Sequence, residues 1–406
     1  MPYSIAMLSV HTSPLDSPGK TKDAGGMNVY IRELARELAQ QGHTIDIFTR
    51  WSKEQTPQIV QVAPNLRVIS IQAGAKSPVS KHELYQYLPV FVQNIEEFAQ
   101  SEQRSYDLLH SHYWLSGVAG MELSRYWDIP HVTMFHTLGK LKQQANPKEP
   151  EPPLRLEMEQ VLLQKVDAIV AATADERMQI IRSCGVAPSR VEVVPCGVDL
   201  KLFRPHQRWY AREQFDLQQT QPVLLFAGRL DPFKGPDLLL RASAMMQEEA
   251  QIVIVGGESG DKELVSLQKL AKELGVNQRV RFLGARPQQE LPLLFSAADI
   301  TVVPSYHESF GLVAIESLAC GTPVVATRAG GLTTVIGNGE TGFLVPRCPG
   351  FFAERLDALL RDSELRAKMR MEARKSVLKY SWKSVAGEIS VLYDLLSASE
   401  PCLAAQ

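Results

Sequence analysis

Two series of alternating strand-like and helix-like segments, one in each half of the chain, restrict its fold more than any other feature. The first series begins at Ser4, and the second begins afresh at Val223. Such alternation indicates parallel sheets that are covered by helices on both faces. A chain of 406 residues also exceeds the usual size of one hydrophobic core. We therefore predict an α/β protein with two doubly wound, Rossmann-like domains facing a cleft.

The predicted strands are short apolar runs between segments with helical spacing. They are Ser4–Val10, Ile45–Thr49, Leu66–Ile71, Leu108–Ser111, His131–Phe135, Ala168–Ala172, Val191–Val194, Val223–Ala227, Ile252–Val255, Val280–Leu283, Ile300–Val303, Val324–Ala326 and Gly342–Val345. We assign residues 1–203 to an N-terminal domain, 204–380 to a C-terminal domain, and 381–406 to a helix followed by a tail. The proline-rich segment Asn146–Pro153 is predicted to be an exposed loop.

Composition excludes several classes of protein. The net charge of −2 gives no sign of a nucleic-acid partner. The five cysteines are widely spaced and form no Cys-x-x-Cys pair, which favours a reducing, cytoplasmic environment. No apolar run is long enough to span a bilayer, and the first residues resemble a strand more than a signal peptide. The sequence leaves the oligomeric state open.

The segment His307–Glu316 joins a predicted strand to a helix. A turn there offers unpaired backbone N–H groups and the positive end of a helix dipole, which suit a phosphate. Glu308 in the loop could accept hydrogen bonds from a sugar, and Glu316 could bind a second pair of hydroxyl groups. Hydroxyls at both ends of a ligand with phosphates between them describe a nucleotide sugar. The alternative is a plain helix cap with a solvated acidic residue.

Basic and glycine-rich turns follow two other strands. Arg229 and Lys234 flank the turn after Val223–Ala227 and could neutralise a diphosphate. The chain contains no Asp-x-Asp motif, so we expect no metal and no cofactor beyond the nucleotide-sugar substrate. Gly25 and Gly26 open the first helix, where a ligand could approach the backbone. A solvated basic turn and a simple glycine turn are the alternatives.

Histidine-rich segments end two strands of the first half. The histidines are His110, His112 and His136, and no acid or cysteine at a matching spacing supports a metal site. We interpret His110 as a packed core residue, and we expect Tyr113, His136 and Thr137 to face the cleft. Four cations of this half are each predicted to be a surface charge when taken singly: Lys81, Lys140, Lys142 and Arg155. A cluster of them could hold a phosphorylated acceptor, but the sequence alone does not bring them together.

With these motifs, the chain resembles a retaining GT-B glycosyltransferase of family 4. The resemblance extends from Ser4 to about Leu396 and is closest to the branch that holds the sucrose-phosphate synthases and the mycothiol-pathway inositol-phosphate glycosyltransferase. The motifs that carry it are Gly25-Gly26-Met27-Asn28-Val29-Tyr30, His110-Ser111-His112-Tyr113-Trp114, Gly228-Arg229 with Lys234-Gly235, and Glu308 with Glu316. It implies that a C-terminal helix crosses back onto the first domain.

The resemblance also implies a role for each matching residue. Catalytic roles fall to His136 near the reacting carbon, Arg229 and Lys234 on the diphosphate, and Glu308 on the donor sugar. Glu316 would hold the ribose and Arg286 would lie beside the base. The remaining donor-site positions are Gly25, Gly26, Gly228, Phe310, Gly311, Leu312 and Val313. An acceptor phosphate would be bound by Asn28, Lys81, Tyr113, Thr137 and Arg155.

The expected substrates are small molecules, a UDP-sugar and a phosphorylated acceptor. Frequent glutamine, with less alanine and arginine than actinobacterial proteins tend to have, favours transfer from UDP-glucose to fructose 6-phosphate, the sucrose-phosphate synthase reaction. The alternative is transfer from UDP-N-acetylglucosamine to inositol 1-phosphate, and a non-catalytic nucleotide-sugar binding protein is an alternative of another class. An NAD-dependent oxidoreductase would need a dinucleotide-binding loop that the first βα turn lacks.

Overall fold

The computed structural model describes residues 2–16, 25–148, 150–258 and 260–398. These residues form two compact units. Unit 1 contains residues 2–16 and Gly26–Pro195 together with Trp382–Ala398, and unit 2 contains Cys196–Ser381. The unit boundaries therefore fall after Pro195 and after Ser381. The predicted tail after the C-terminal helix lies outside the described residues.

Unit 1 is built on an eight-stranded sheet with the order β3-β4-β2-β1-β5-β6-β7-β8. Its strands are β1 (Ser4–Leu8), β2 (Thr44–Arg50), β3 (Ile59–Ala63), β4 (Leu66–Ile71), β5 (Leu108–His112), β6 (His131–Met134), β7 (Ala168–Ala171) and β8 (Val191–Val193). All pairs are parallel except β3 with β4. The central strands β5 and β6 are buried along their whole length and β1 is buried after Ser4, as a sheet covered on both faces requires.

Helices cover this sheet and connect its strands. They are α1 (Gly26–Gln40), α2 (Leu88–Ser101), α3 (Trp114–Trp127), α4 (Gly139–Ala145), α5 (Pro153–Lys165), α6 (Ala174–Cys184) and, from the end of the chain, α15 (Trp382–Ala398). A short 3-10 helix, Leu84–Tyr87, precedes α2. The helix α15 packs on α1, where the Tyr30 and Trp382 rings lie 5.5 Å apart.

Unit 2 is built on a six-stranded parallel sheet with the order β11-β10-β9-β12-β13-β14. Its strands are β9 (Val223–Ala227), β10 (Gln251–Val255), β11 (Val280–Gly284), β12 (Ile300–Val303), β13 (Val324–Thr327) and β14 (Gly342–Val345). Its helices are α7 (Arg208–Gln214), α8 (Pro236–Met245), α9 (Lys262–Glu273), α10 (Leu291–Ala297), α11 (Leu312–Ala319), α12 (Leu332–Val335), α13 (Pro349–Arg361) and α14 (Ser363–Val377). Strands β9 and β12 are neighbours, so the loops that follow them meet at one edge of the sheet.

The predicted fold class of two Rossmann-like, doubly wound α/β domains is confirmed. Every predicted strand is present to within two residues at either end. The antiparallel edge strand β3 was missed, because most of its side chains are exposed or half-exposed and its apolar alternation is weak. The prediction of an exposed loop at Asn146–Pro153 was wrong for Asn146 and Glu151, which are buried.

Candidate active site

An ion pair joins two loops at the carboxyl edge of the unit 2 sheet. Lys234 follows β9, and its Nζ donates to the Glu308 carboxylate oxygens at 2.7 and 2.9 Å. Glu308 follows β12 and also accepts a hydrogen bond of 2.7 Å from the Ser305 hydroxyl. Burial opposes ionisation of Glu308, but Lys234 and Ser305 outweigh it and hold the pKa of this carboxyl below its ordinary value. Two residues predicted for the donor site are thus brought together.

The turn between Glu308 and α11 has a backbone shape that requires glycine. Gly311 caps α11 with φ of +101°, and a Cβ there would meet Leu332 at 2.8 Å. Gly331 contacts the same turn, and its N–H donates to the Glu308 carbonyl at 2.7 Å. Phe310 is buried and packs edge-on against Tyr380. The predicted positions Leu312 and Val313 form the first turn of α11, where the backbone N–H groups have no partner within the helix.

Glu316 lies in the second turn of α11 and is buried. Burial raises the pKa of its carboxyl to about 8, and a hydrogen bond from Gln288 opposes this shift. A carboxyl group held this way is mostly protonated at neutral pH until a polar ligand offers hydrogen-bond donors. The predicted ribose contact is therefore a perturbed group, as functional sites often contain.

The other predicted donor residues of unit 2 lie at the ends of β9 and β11. Gly228 directly follows β9, and Gly256 directly follows the neighbouring β10. The two backbones are so close that a Cβ on Gly256 would meet the Gly228 carbonyl oxygen at 1.9 Å. Arg229 is partly exposed and lies 3.3 Å from Asp231. Arg286 follows β11, and its Nε donates to the Leu283 carbonyl at 3.1 Å.

The prediction of a surface charge was wrong for Arg155, which is the centre of a buried charge cluster in unit 1. Its guanidinium donates to Glu159 at 2.7 Å and to Glu151 at 2.6 Å, and all three side chains are at most 6% exposed. Burial disfavours the charge of Arg155, but the two carboxylates outweigh it and raise the pKa of this group above its ordinary value. Lys142 also contacts Glu151, at 2.6 Å.

The Arg155 guanidinium also contacts two other predicted acceptor residues, Tyr113 and Thr137. It lies 4.9 Å above the ring of Tyr113, and it donates to the Thr137 carbonyl at 2.5 Å. Lys81 lies on a separate segment, in the turn before the 3-10 helix Leu84–Tyr87. Asn28, near the start of α1, is fully buried and donates to the Thr12 hydroxyl and the Ser13 carbonyl at 2.7 and 2.6 Å.

His136 has a left-handed backbone with φ of +58°, which is uncommon for a residue with a side chain. Its Nε2 lies 3.1 Å from the Nδ1 of His112, and its ring packs edge-on against Tyr30. Burial lowers the pKa of His136 to about 3, so the ring is neutral at physiological pH. His110 is a packed core residue, as predicted, with its Nδ1 2.7 Å from the Tyr393 hydroxyl.

Several residues around these sites were missed. Glu151 and Glu159 stand four positions before and after Arg155, a spacing that brings side chains together on a helix and could have revealed them. Ser305 follows β12 and Gly331 follows β13. Their position after a parallel strand, which they share with Glu308, is the signal that could have revealed them. Arg347 lies 3.5 Å above the Tyr306 ring and donates to the Pro304 carbonyl, and no local pattern indicates that contact.

Two negative findings apply to the described ranges alone. Within them, no three or more histidine, cysteine, aspartate or glutamate side chains are grouped so that they could hold a metal ion. The helices given above also include none that is both long enough and apolar enough to cross a membrane.

Solved structures place the fold in a known class. Sucrose-phosphate synthase from Thermosynechococcus elongatus is 33% identical, with a TM-score of 0.91 over 98% of this chain and 100% of that one. The Anabaena HepE protein in complex with UDP and glucose is 21% identical, with a TM-score of 0.77 over 97% of this chain and 100% of that one, and this likeness shows the fold alone. The class that the two Rossmann-like units define is that of the GT-B glycosyltransferases.

Sequence comparisons identify the family. The profile "Glycosyltransferase Family 4" matches residues 24–202, and "Glycosyl transferases group 1" matches residues 207–376. The D-inositol 3-phosphate glycosyltransferase of Corynebacterium efficiens is 42% identical over 98% of this chain and 96% of its own length. The protein of the same name from Nocardiopsis dassonvillei is 40% identical over 98% and 96%. The chain belongs to this glycosyltransferase family, and it is an enzyme that transfers a glycosyl group.

Proposed function

We propose that this enzyme transfers a hexosyl group from a UDP-sugar to an inositol phosphate, with retention of the anomeric configuration. The observation that carries the proposal is the full-length similarity, at 40–42% identity, to several proteins named D-inositol 3-phosphate glycosyltransferase. The contacts of Tyr113 and Thr137 with the Arg155 guanidinium support it, because a phosphorylated acceptor needs a fixed cation. This acceptor replaces fructose 6-phosphate as our first choice.

Fructose 6-phosphate remains the second candidate acceptor. The sucrose-phosphate synthase of Thermosynechococcus elongatus has a TM-score of 0.91 against this chain at 33% identity. Both acceptors present a phosphate beside hydroxyl groups, so the cation cluster around Arg155 does not distinguish them. The higher identity of the inositol-phosphate enzymes decides the order of the two candidates.

The donor is a UDP-sugar; HepE structures contain UDP with glucose, UDP, or UDP-glucose. In this proposal Lys234 and Arg229 offset the charge that develops on the departing diphosphate. Glu316 accepts hydrogen bonds from the ribose, Glu308 binds the sugar, and Arg286 lies beside the base. Gly25, Gly26 and Gly228 let the ligand approach the backbone.

In the proposed reaction the acceptor attacks the donor sugar directly, and no side chain of the enzyme acts as a nucleophile. The acceptor hydroxyl oxygen attacks the anomeric carbon from the face that the diphosphate leaves, the carbon–oxygen bond to the β-phosphate breaks, and the hydroxyl proton passes to a leaving phosphate oxygen. His136 is neutral and contacts the sugar near the reacting carbon. Side-chain cations supply the charge stabilisation, so the reaction proceeds without a metal. The widely spaced free cysteines support a cytoplasmic location.

A coupled assay of UDP release tests the proposal. UDP-N-acetylglucosamine and UDP-glucose are each combined with inositol 1-phosphate, inositol 3-phosphate, fructose 6-phosphate or no acceptor, with Lys234→Ala as the inactive control. We expect acceptor-dependent UDP release with UDP-N-acetylglucosamine and an inositol phosphate. A preference for fructose 6-phosphate would establish the second candidate, and UDP binding without turnover on any acceptor would indicate a non-catalytic binding protein.

A further inference from the structure

Arg50 is a buried cation that the proposed function does not use. It ends β2 at the carboxyl edge of the unit 1 sheet and is 5% exposed. Among the described residues no carboxylate pairs with it, although every other deeply buried arginine of the chain, Arg155 and Arg212, contacts an acid. Burial lowers the pKa of Arg50 below its ordinary value. A buried charge without a counterion is costly unless its N–H groups are satisfied in another way.

The guanidinium of Arg50 is satisfied by one loop. Its Nε donates to the carbonyl of Ala73 at 2.8 Å, and its two terminal nitrogens donate to the carbonyls of Ala75 at 2.5 Å and Ser77 at 3.0 Å. Alternate carbonyls of a five-residue loop thus point at one planar fork, which fixes the backbone of the loop. The adjacent Trp51 adds a second contact, since the Lys76 Nζ lies 3.4 Å above its ring.

A glycine of the loop 73–77 packs against the ring of Tyr87. Gly74 has φ of +77°, and a Cβ there would meet the Tyr87 ring at 2.7 Å. Tyr87 in turn lies 5.9 Å from the guanidinium carbon of Arg50. The loop 73–77 is therefore held between a guanidinium on one side and an aromatic ring on the other.

Lys81 lies between this fixed loop and a second anchor. The 3-10 helix Leu84–Tyr87 begins three residues after it, and there the Tyr85 hydroxyl donates to the Met158 sulfur of α5 at 3.4 Å. The Tyr85 ring also stacks on Trp114, with ring centroids 6.0 Å apart. Trp114 follows Tyr113 in the chain, and Met158 is three residues beyond Arg155. The downstream anchor of Lys81 therefore rests on the elements that carry two proposed acceptor residues.

We propose that Arg50 is a positioning residue for the acceptor phosphate. It fixes the loop 73–77, and this fixed loop keeps Lys81 in the position in which it binds the phosphate together with Tyr113 and Arg155. This inference rests on the proposed function, in which Lys81 binds that phosphate. Arg50 touches no substrate itself. Its role is selectivity, because a loosely held Lys81 would lose its contribution to phosphorylated acceptors while the donor site of unit 2 stayed unchanged.

The first test is kinetic and uses the full chain. Arg50→Met removes all three donors but keeps the apolar stem, and we expect it to raise the KM of the phosphorylated acceptor by about tenfold, the loss typical of a charged hydrogen bond, with an unchanged KM for the UDP-sugar. Arg50→Lys should recover part of the loss. In a Lys81→Ala background, Arg50→Met should add almost nothing, because both changes act on one contact. Equal effects on both KM values, or additive effects of the two substitutions, would overturn the inference.

The second test needs no substrate. Hydrogen exchange of the backbone amides at 73–83 should accelerate in Arg50→Met and only partly in Arg50→Lys. Arg67→Met is the matched control, because Arg67 lies on β4 of the same sheet and pairs with Asp46 instead of the loop. It should lower stability without accelerating exchange at 73–83 and without changing the ratio of the two KM values. Unchanged exchange in Arg50→Met would overturn the inference and leave the proposed function standing. A wild-type enzyme that used no phosphorylated acceptor would overturn the proposed function, and with it the acceptor role of Arg50.

Discussion

The two units hold a basic side chain at the carboxyl edge of a sheet in different ways. Arg155 in unit 1 is 5% exposed and is bound by two carboxylates, a backbone carbonyl and an aromatic ring. Lys234 in unit 2 is 25% exposed, and its one ion pair among the described residues is with Glu308. The guanidinium has donors in a fixed fork that can be satisfied from several directions at once, whereas the ammonium is a compact charge on a flexible stem.

The difference separates two tasks. Arg155 has its charge balanced inside the protein by Glu151 and Glu159, so it is first a rigid part of unit 1. Lys234 keeps contact with solvent, so in the proposed function its ammonium can offset the charge of a diphosphate. We therefore expect substitutions at Arg155 to affect folding and acceptor binding, and substitutions at Lys234 to affect turnover.

The largest effect is expected for Arg155→Met. It leaves Glu159 buried without its cation, while Glu151 keeps its contact with Lys142. Breaking a buried pair in this way lowers the free energy of unfolding by about 3–5 kcal/mol. Hydrogen exchange of the α5 amides under native conditions measures that loss, with the exposed Lys165→Met as the control on the same helix. The KM of the phosphorylated acceptor should rise as well. A loss below about 1 kcal/mol, the value for surface pairs, would remove the contrast with Lys234.

The next effect is on catalysis. Lys234→Ala should lower kcat by roughly 100-fold or more, since it removes a charge partner of the developing diphosphate. Its cost in stability should stay within about 1 kcal/mol, because the pair is partly solvated. Steady-state kinetics and thermal unfolding measure the two quantities, and Lys269→Ala, an exposed lysine of the same unit, is the control. A near-normal kcat would refute the role of Lys234.

A smaller effect concerns the pH dependence of UDP binding through Glu316. Its pKa is raised to about 8, so ionisation increases about tenfold between pH 7 and pH 9. The carboxylate accepts ribose hydrogen bonds better than the acid does, so UDP affinity should strengthen by up to about tenfold over that range. Calorimetric titration of wild type and Glu316→Gln measures it. The same slope in both proteins would exclude Glu316 as the titrating contact.

The smallest effect is on acid stability. Because the pKa of Glu308 is lower in the folded protein than its ordinary value of 4.5, the pair with Lys234 stabilises above that value and the contribution is lost as the pH falls through the folded pKa. The difference in Tm between wild type and Glu308→Gln should be constant from pH 8 to pH 5 and shrink below it, with less than about 1 kcal/mol at stake. A difference that persisted to pH 3 would contradict this linkage.

The sequence predicted the strands well because buried parallel strands are continuous apolar runs, as at Val223–Ala227 and Ile300–Val303. It could not predict which loops meet. Lys234 and Glu308 are 74 positions apart, and they come together only because β9 and β12 are neighbours in the sheet. That order follows from packing of the whole unit and not from any local pattern.

The sequence around Arg155 contains two local patterns that predict different structures. Helical spacing predicts contacts of Arg155 with nearby acids, whereas the prolines before Arg155 predict an exposed loop. The spacing of Arg155 and Glu159 is that of one helical turn and predicts their contact. Glu151 has the same spacing, yet it precedes the first residue of α5, and its proline neighbours favoured an exposed loop. Its burial results from two cations, Lys142 and Arg155, which lie on different helices.

The return of α15 to unit 1 makes unit 2 an insertion within unit 1. The two chain crossings lie side by side, since Val198 and Ser381 form a parallel bridge and the Val198 N–H donates to the Tyr380 carbonyl at 2.7 Å. Neighbouring entry and exit points allow an inserted domain to fold as a unit of its own. During synthesis the chain of unit 2 is complete before α15 emerges, so the Tyr30–Trp382 and His110–Tyr393 contacts form last. Synthesis therefore completes the chain of unit 2 before that of unit 1, although unit 1 begins first.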